Sequence, residues 1–94
     1  MDNKTVEKNM KRIYKYNIET TSRAQKLHLP VGYEILDIQM QNAEICLWAR
    51  VDIEKPSQVL PIRVYATGED VNERSIHLKT VQEGTLVLHV FEEI

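Results

Sequence analysis

The alternation that runs through residues 35–51, ILDIQMQNAEICLWARV, constrains this chain more than any other stretch. In its first arm Leu36, Ile38 and Met40 share one face, against Asp37 and Gln39; in its second, Ile45, Leu47, Ala49 and Val51 share a face, against Cys46, Trp48 and Arg50. Period two over two such runs is the pattern of β-strands, and the polar break at residues 41–44 joins them as a hairpin. Both apolar sets must meet on one side of the sheet, because a one-residue slip turns every side chain over. That parity requires an even loop. A two-residue turn at Asn42-Ala43 pairs Met40 with Ile45, Ile38 with Leu47 and Leu36 with Ala49. Asparagine suits the first turn position, whereas an alanine forced to positive φ costs about 1–2 kcal/mol, so a four-residue loop is the alternative.

The rest of the chain reads as shorter strands added to this hairpin. Ile13 to Ile18 is the first, with Tyr14, Tyr16 and Ile18 on one face; Thr20-Thr21-Ser22 breaks it. Gln25 to Leu29 is the second, with Leu27 and Leu29 inward and His28 outward, and Pro30-Val31-Gly32 turns the chain into the hairpin. After a polar loop over residues 52–58, Val59 to Thr67 places Leu60, Ile62, Val64 and Ala66 against Pro61, Arg63, Tyr65 and Thr67. Pro61 lacks the donor a ladder needs, which sets the start of that strand at a sheet edge or a bulge. A second polar loop, residues 68–74, leads to the last two strands, Ser75 to Val81 and Thr85 to Phe91, with Ile76, Leu78, Leu86, Leu88 and Val90 inward. There parity asks for an odd loop. A three-residue connection, Gln82-Glu83-Gly84, pairs Leu78 with Leu88 and His77 with His89, with glycine in the left-handed position. The expected fold is therefore all-β: an antiparallel sandwich or partly open barrel of about seven strands. Residues 1–11 are expected to be a flexible N-terminal extension, and residues 12–94 a single domain.

Size and charge narrow the function. With 94 residues there is material for one domain and one modest core. A net charge of −2 lacks the basic stripe of a duplex nucleic-acid binder, and aromatics at 6% are too sparse for a single-strand stacking channel. The single Cys46 makes an internal disulfide impossible and points to a reducing compartment; no apolar run is long enough to cross a bilayer as a helix. Gly32, Gly68 and Gly84 are too far apart for a phosphate loop, and no serine lies in a nucleophile elbow. His77 and His89 lack a third ligand for zinc, and Cys46 reads as an inert strand thiol. Glu92 and Glu93 read as solubilising charge. No catalytic residue, metal ligand or cofactor is expected.

The reverse sides of the strands carry the one candidate site. Cys46, Trp48, Arg50, Arg63, Tyr65, Val87, His89 and Phe91 make a mixed aromatic, aliphatic and guanidinium set that a solvated face does not need. In the plain structural reading Trp48 is a core residue and the two arginines are solvated rim residues. In the functional reading Trp48, Arg50, Arg63 and Tyr65 line one ligand-binding pocket or interface. Aromatic planes beside guanidinium forks suit the base and phosphate of an anionic nucleotide, and the same residue types anchor protein interfaces. A face of this kind needs a cover, so a homo-oligomer is expected.

Several short runs together resemble an uncharacterised family of small tailed-bacteriophage proteins. They are Ile13-Tyr14-Lys15-Tyr16, Leu29-Pro30-Val31-Gly32 with Ile35-Leu36, Gln41-Asn42, Cys46-Leu47-Trp48-Ala49, the run from Ile62 to Gly68, and His89-Val90-Phe91-Glu92. The similarity spans roughly Met10 to Glu92, and Met1 to Asn9 reads as an extension. Two positions depart from the pattern: Ala43 stands where glycine is common, and Glu69 where histidine is expected, so a site built on that histidine does not transfer. The resemblance implies a phage origin and the host bacterial cytoplasm, and supplies no activity. By analogy with small accessory phage proteins, the expected role is a non-enzymatic counter-defence binder that sequesters a nucleotide-type immune signal. The alternative is a protein-interaction module gripping a host factor or a virion component.

Overall fold

The computed structural model describes residues 10–94, and the expectation of a flexible arm falls mostly on residues outside that range. Seven strands follow one another: β1 (Arg12–Ile18), β2 (Gln25–Pro30), β3 (Glu34–Gln41), β4 (Glu44–Val51), β5 (Ser57–Ala66), β6 (Ile76–Glu83) and β7 (Leu86–Glu92). They form two sheets, one ordered β1-β4-β3 and the other β2-β5-β7-β6, with every pairing antiparallel. The fold is the expected all-β sandwich, but the β3–β4 hairpin is not its trunk. It organises only the smaller sheet, while β5, the longest strand at 10 residues, runs through the larger one.

Alternation within each strand builds the core. Ile18, Ile38, Ile45, Leu47, Ala49 and Val51 project from the first sheet onto Leu29, Leu60, Ile62, Val64, Val81, Leu88 and Val90 of the second, forming one buried cluster. Burying a Val, Leu or Ile side chain removes about 1.5–3 kcal/mol of apolar hydration cost, and this cluster is what holds the sheets face to face. Trp48 is not in it. Its strand turns it outward, between Lys15 of β1 and Asp37 of β3, and it is half-buried on the outer surface of the first sheet.

The central turn takes the two-residue form. Asn42 and Ala43 both have positive φ, 52° and 66°, the signature of a type I′ hairpin, and Met40 pairs with Ile45 and Ile38 with Leu47. The third expected pair fails. A bulge between Ile35 and Asp37 sets Ile35, not Leu36, opposite Ala49, and leaves Leu36 exposed.

The last hairpin departs further. Its loop is Gly84-Thr85, with positive φ at glycine alone, as in a type II′ turn, and Glu83 pairs with Leu86. The register therefore shifts: Val81 faces Leu88, His89 faces Thr80, and, past a second bulge between His77 and Lys79, His77 faces Phe91. Val81 is buried in place of Ile76, which is 48% exposed. A single glycine at either end of a short loop satisfies different turn types, and the buried partner for Leu88 selects between them.

Pro61 illustrates how a central strand tolerates proline. β5 lies between β2 and β7, yet its pairing with β7 starts only at Ile62 opposite Glu92. The Pro61 carbonyl accepts from Glu93 N at 3.0 Å, so the missing donor falls on the last rung of that ladder.

The sheets also meet along one flank. Beside their bulges, β3 and β6 are joined by Lys79 Nζ donating to Asp37 Oδ1 at 2.6 Å, and the two hairpin ends by Ala43 N donating to Glu83 Oε1 at 2.9 Å.

Candidate functional site on the outer face of the larger sheet

The four residues expected to share a pocket are divided between the two sheets. Trp48 and Arg50 lie on β4, outside the first sheet, whereas Arg63 and Tyr65 lie on β5, outside the second. The inward neighbours Leu47, Ala49, Ile62 and Val64 pack between them in the common core, so the two pairs face away from each other. A single aromatic and guanidinium pocket does not exist in this fold. Sequence parity showed each residue to be on the reverse of its strand, but not that the reverse sides belong to different surfaces.

Each arginine is also engaged by a carboxylate of its own chain. The guanidinium of Arg50 forms an exposed ion pair with Glu34, its neighbour across the β3–β4 ladder. Arg63 Nε donates to both oxygens of Glu93, at 3.0 and 2.8 Å, and its Nη1 to the Ser22 carbonyl at 2.9 Å. Glu93 is thus a hub of the outer face and not a solubilising charge. It accepts from Tyr65 Oη at 3.2 Å as well. The carboxylate raises the Arg63 guanidinium further above its ordinary range, while burial, followed by the Glu93 bond, raises the Tyr65 phenol. Both groups are held in their protonated, donating forms.

Two rungs across β5, β7 and β6 assemble the face. One aligns Arg63, Phe91 and His77; the other aligns Tyr65, His89 and Thr80. The Phe91 ring sits edge-on to Tyr65, with centroids 5.5 Å apart, and edge-on to His77 at 5.2 Å. Such tilted contacts suit the aromatic quadrupole.

Hydroxyls link the imidazoles. Thr80 Oγ1 lies 2.9 Å from His77 Nε2 and 2.9 Å from His89 Nδ1, and Thr67 Oγ1 lies 2.8 Å from His89 Nε2. A hydroxyl donates once and accepts up to twice, so Thr80 bridges both rings when at least one of the two nitrogens facing it carries a proton. Thr67 and Thr80 had no part in the expected site. The hint for Thr80 was its place on β6, readable only once the register was known.

This face is an ordered, hydrogen-bonded platform and not a cavity. Three surface depressions, of about 580, 440 and 350 Å³, lie around residues 10–12 with 51–54, 17–27, and 17–20 with 43–44. None is lined by Trp48, Arg50, Arg63 or Tyr65. Cys46 is buried against Asn17 Oδ1 and Gln41 Oε1, each 3.9 Å from its sulfur. Among the described residues no three His, Cys, Asp or Glu side chains are grouped to hold a metal, and no helix is long and apolar enough to cross a membrane.

Fold and face together define a small two-sheet β-sandwich with a structured aromatic surface. The chain belongs to the family described as Domain of unknown function (DUF7352), whose model matches residues 10–94. No curated protein and no solved structure matches it.

Proposed function

We propose that this chain is a non-enzymatic binding protein of tailed phages, and that its ligand is a protein, a host factor or a virion component, in preference to a nucleotide. The single observation that supports this choice is the commitment of both guanidinium groups. Arg50 is paired with Glu34 and Arg63 with Glu93, so the charge an incoming phosphate would meet is already offset by a carboxylate at each. Nor does an aromatic side chain from one arginine's face reach the other. The outer face of β5, β7 and β6 instead offers Arg63, Phe91 and His77 side by side, braced by cross-strand contacts to one another and to the buried Tyr65. Phenylalanine and arginine are enriched at protein interfaces, and side chains ordered beforehand lose less entropy on binding. The phage setting rests on the resemblance of the sequence runs.

Affinity capture from phage-infected cells, with the wild-type chain and a His77→Glu variant, tests the proposal. His77 is exposed, so the substitution changes the face and spares the core. A stoichiometric protein partner that is lost with His77→Glu is the expected result. Calorimetric binding of a cyclic or linear nucleotide, with no protein captured, would restore the nucleotide reading and sink this one.

A further inference from the structure

Four strands lie at sheet edges, and three of them are guarded. β3 and β6 each carry a bulge, and the Lys79–Asp37 ion pair closes the flank between them. β2 ends on Pro30. Bulges, prolines and covering contacts are how sheet edges avoid further pairing. β1 has neither bulge nor proline: its seven residues pair with β4 in unbroken register, from Arg12 opposite Val51 to Ile18 opposite Ile45. Among the described residues no strand pairs with its opposite edge, which presents a regular row of backbone donors and acceptors. The side chains beside that row are unusually open, with Ile13 65% and Tyr14 39% exposed.

Charge says what this edge accepts. Lys11, Arg12 and Lys15 lie within residues 10–18, which contain no acidic residue. Among the described residues Lys15 Nζ reaches only the amide oxygen of Gln41, at 3.4 Å. Self-pairing of β1 across a two-fold axis would collect four cations, Arg12 and Lys15 of each copy, on one ribbon without an anion, whereas an acidic strand meets complementary charge at both positions.

We propose that β1 is a strand-addition site for an extended acidic segment of a partner protein. Its acidic side chains, three residues apart, face Arg12 and Lys15, and apolar residues between them cover Tyr14 and Ile13. Main-chain hydrogen bonds supply affinity and the charge pairs supply selectivity. This site goes beyond the outer-face reading above: it belongs to the other sheet, so either can fail while the other stands.

A capped synthetic peptide of valine and threonine with two glutamates at that spacing is the probe, and the same peptide with lysines is its control. Amide hydrogen exchange along β1, and fluorescence of Trp48, the neighbour of Lys15 across the ladder, report binding to the full chain. The glutamate peptide is expected to slow exchange within β1 and to bind at least about tenfold more tightly than the lysine peptide. That preference should shrink as salt rises, and the Arg12→Glu, Lys15→Glu double variant should reverse it. The salt series on the wild-type chain decides the matter even if the double variant does not fold. Equal binding of both peptides, no protection by either, or concentration-dependent protection of β1 without peptide would overturn the proposal; the last would assign the edge to a second copy.

Discussion

Ala43 and Glu93 show how much single side chains decide here. Ala43 holds φ at 66° in the β3–β4 turn, a conformation that costs an L-residue about 1–2 kcal/mol. Ala43→Gly removes that strain and gives back part of the gain as unfolded-state entropy, so a net stabilisation of up to about 1 kcal/mol is expected from urea denaturation. Glu93 is opposite in kind, since its charge serves two donors at once. Glu93→Gln is expected to lower stability at neutral pH and to let Tyr65 ionise more readily, though still above the ordinary tyrosine range because burial is the larger cause. In the wild type the raised phenol pKa gives stability that is present below the ordinary tyrosine value, about 10, and lost as pH rises beyond it. Ultraviolet titration against a Tyr65→Phe reference isolates this phenol from the other three tyrosines.

Between elements, the flank where β3 meets β6 has a pH dependence of known sign. Asp37 is held below its ordinary value, first by the hydrogen bond from Lys79, then by those from Gln39 and the Ile38 amide. A depressed carboxylate contributes stability above its unfolded pKa, about 3.9, and loses it as pH falls through the lower folded value. Denaturation midpoints of wild type and Asp37→Asn should therefore differ at neutral pH and converge in acid. A gap that persists unchanged at low pH would show that the contact matters through shape and not charge. The same flank explains why the β6–β7 register was hard to read. Parity within β6 suggested Ile76 and Leu78 as its inward residues, but the bulge at Leu78 breaks that parity and Val81 becomes the buried residue. Bulges add one residue where two strands must accommodate twist, and their position depends on the partner strand.

At the scale of the molecule, three of the five strand pairings join strands that are not consecutive in the chain. β1 waits for β4, β2 for β5, and β5 for β7. Such connectivity makes folding slow, on the order of milliseconds to seconds, because loops must close before pairing rewards them. Stopped-flow refolding followed by Trp48 fluorescence measures this rate, and a microsecond phase carrying the full amplitude would contradict it. The core is shared by both sheets, so Leu47→Ala, at a position with no exposed surface, should cost roughly 2–5 kcal/mol in chemical denaturation. Most of this architecture was legible beforehand. All seven strands, the Asn42-Ala43 turn and inward residues such as Ile45, Leu47, Ile62 and Val64 follow from alternation and turn chemistry, which are local properties. The candidate site was not legible, because period two tells whether a side chain points into or out of its own strand's sheet and says nothing about which sheet that is. Only the assembled fold sent Trp48 and Tyr65 to opposite sides of the sandwich, brought Glu93 to Arg63, and set β1 at a sheet edge. Those outcomes depend on contacts between distant segments, whose free energy exists only once the two sheets have packed.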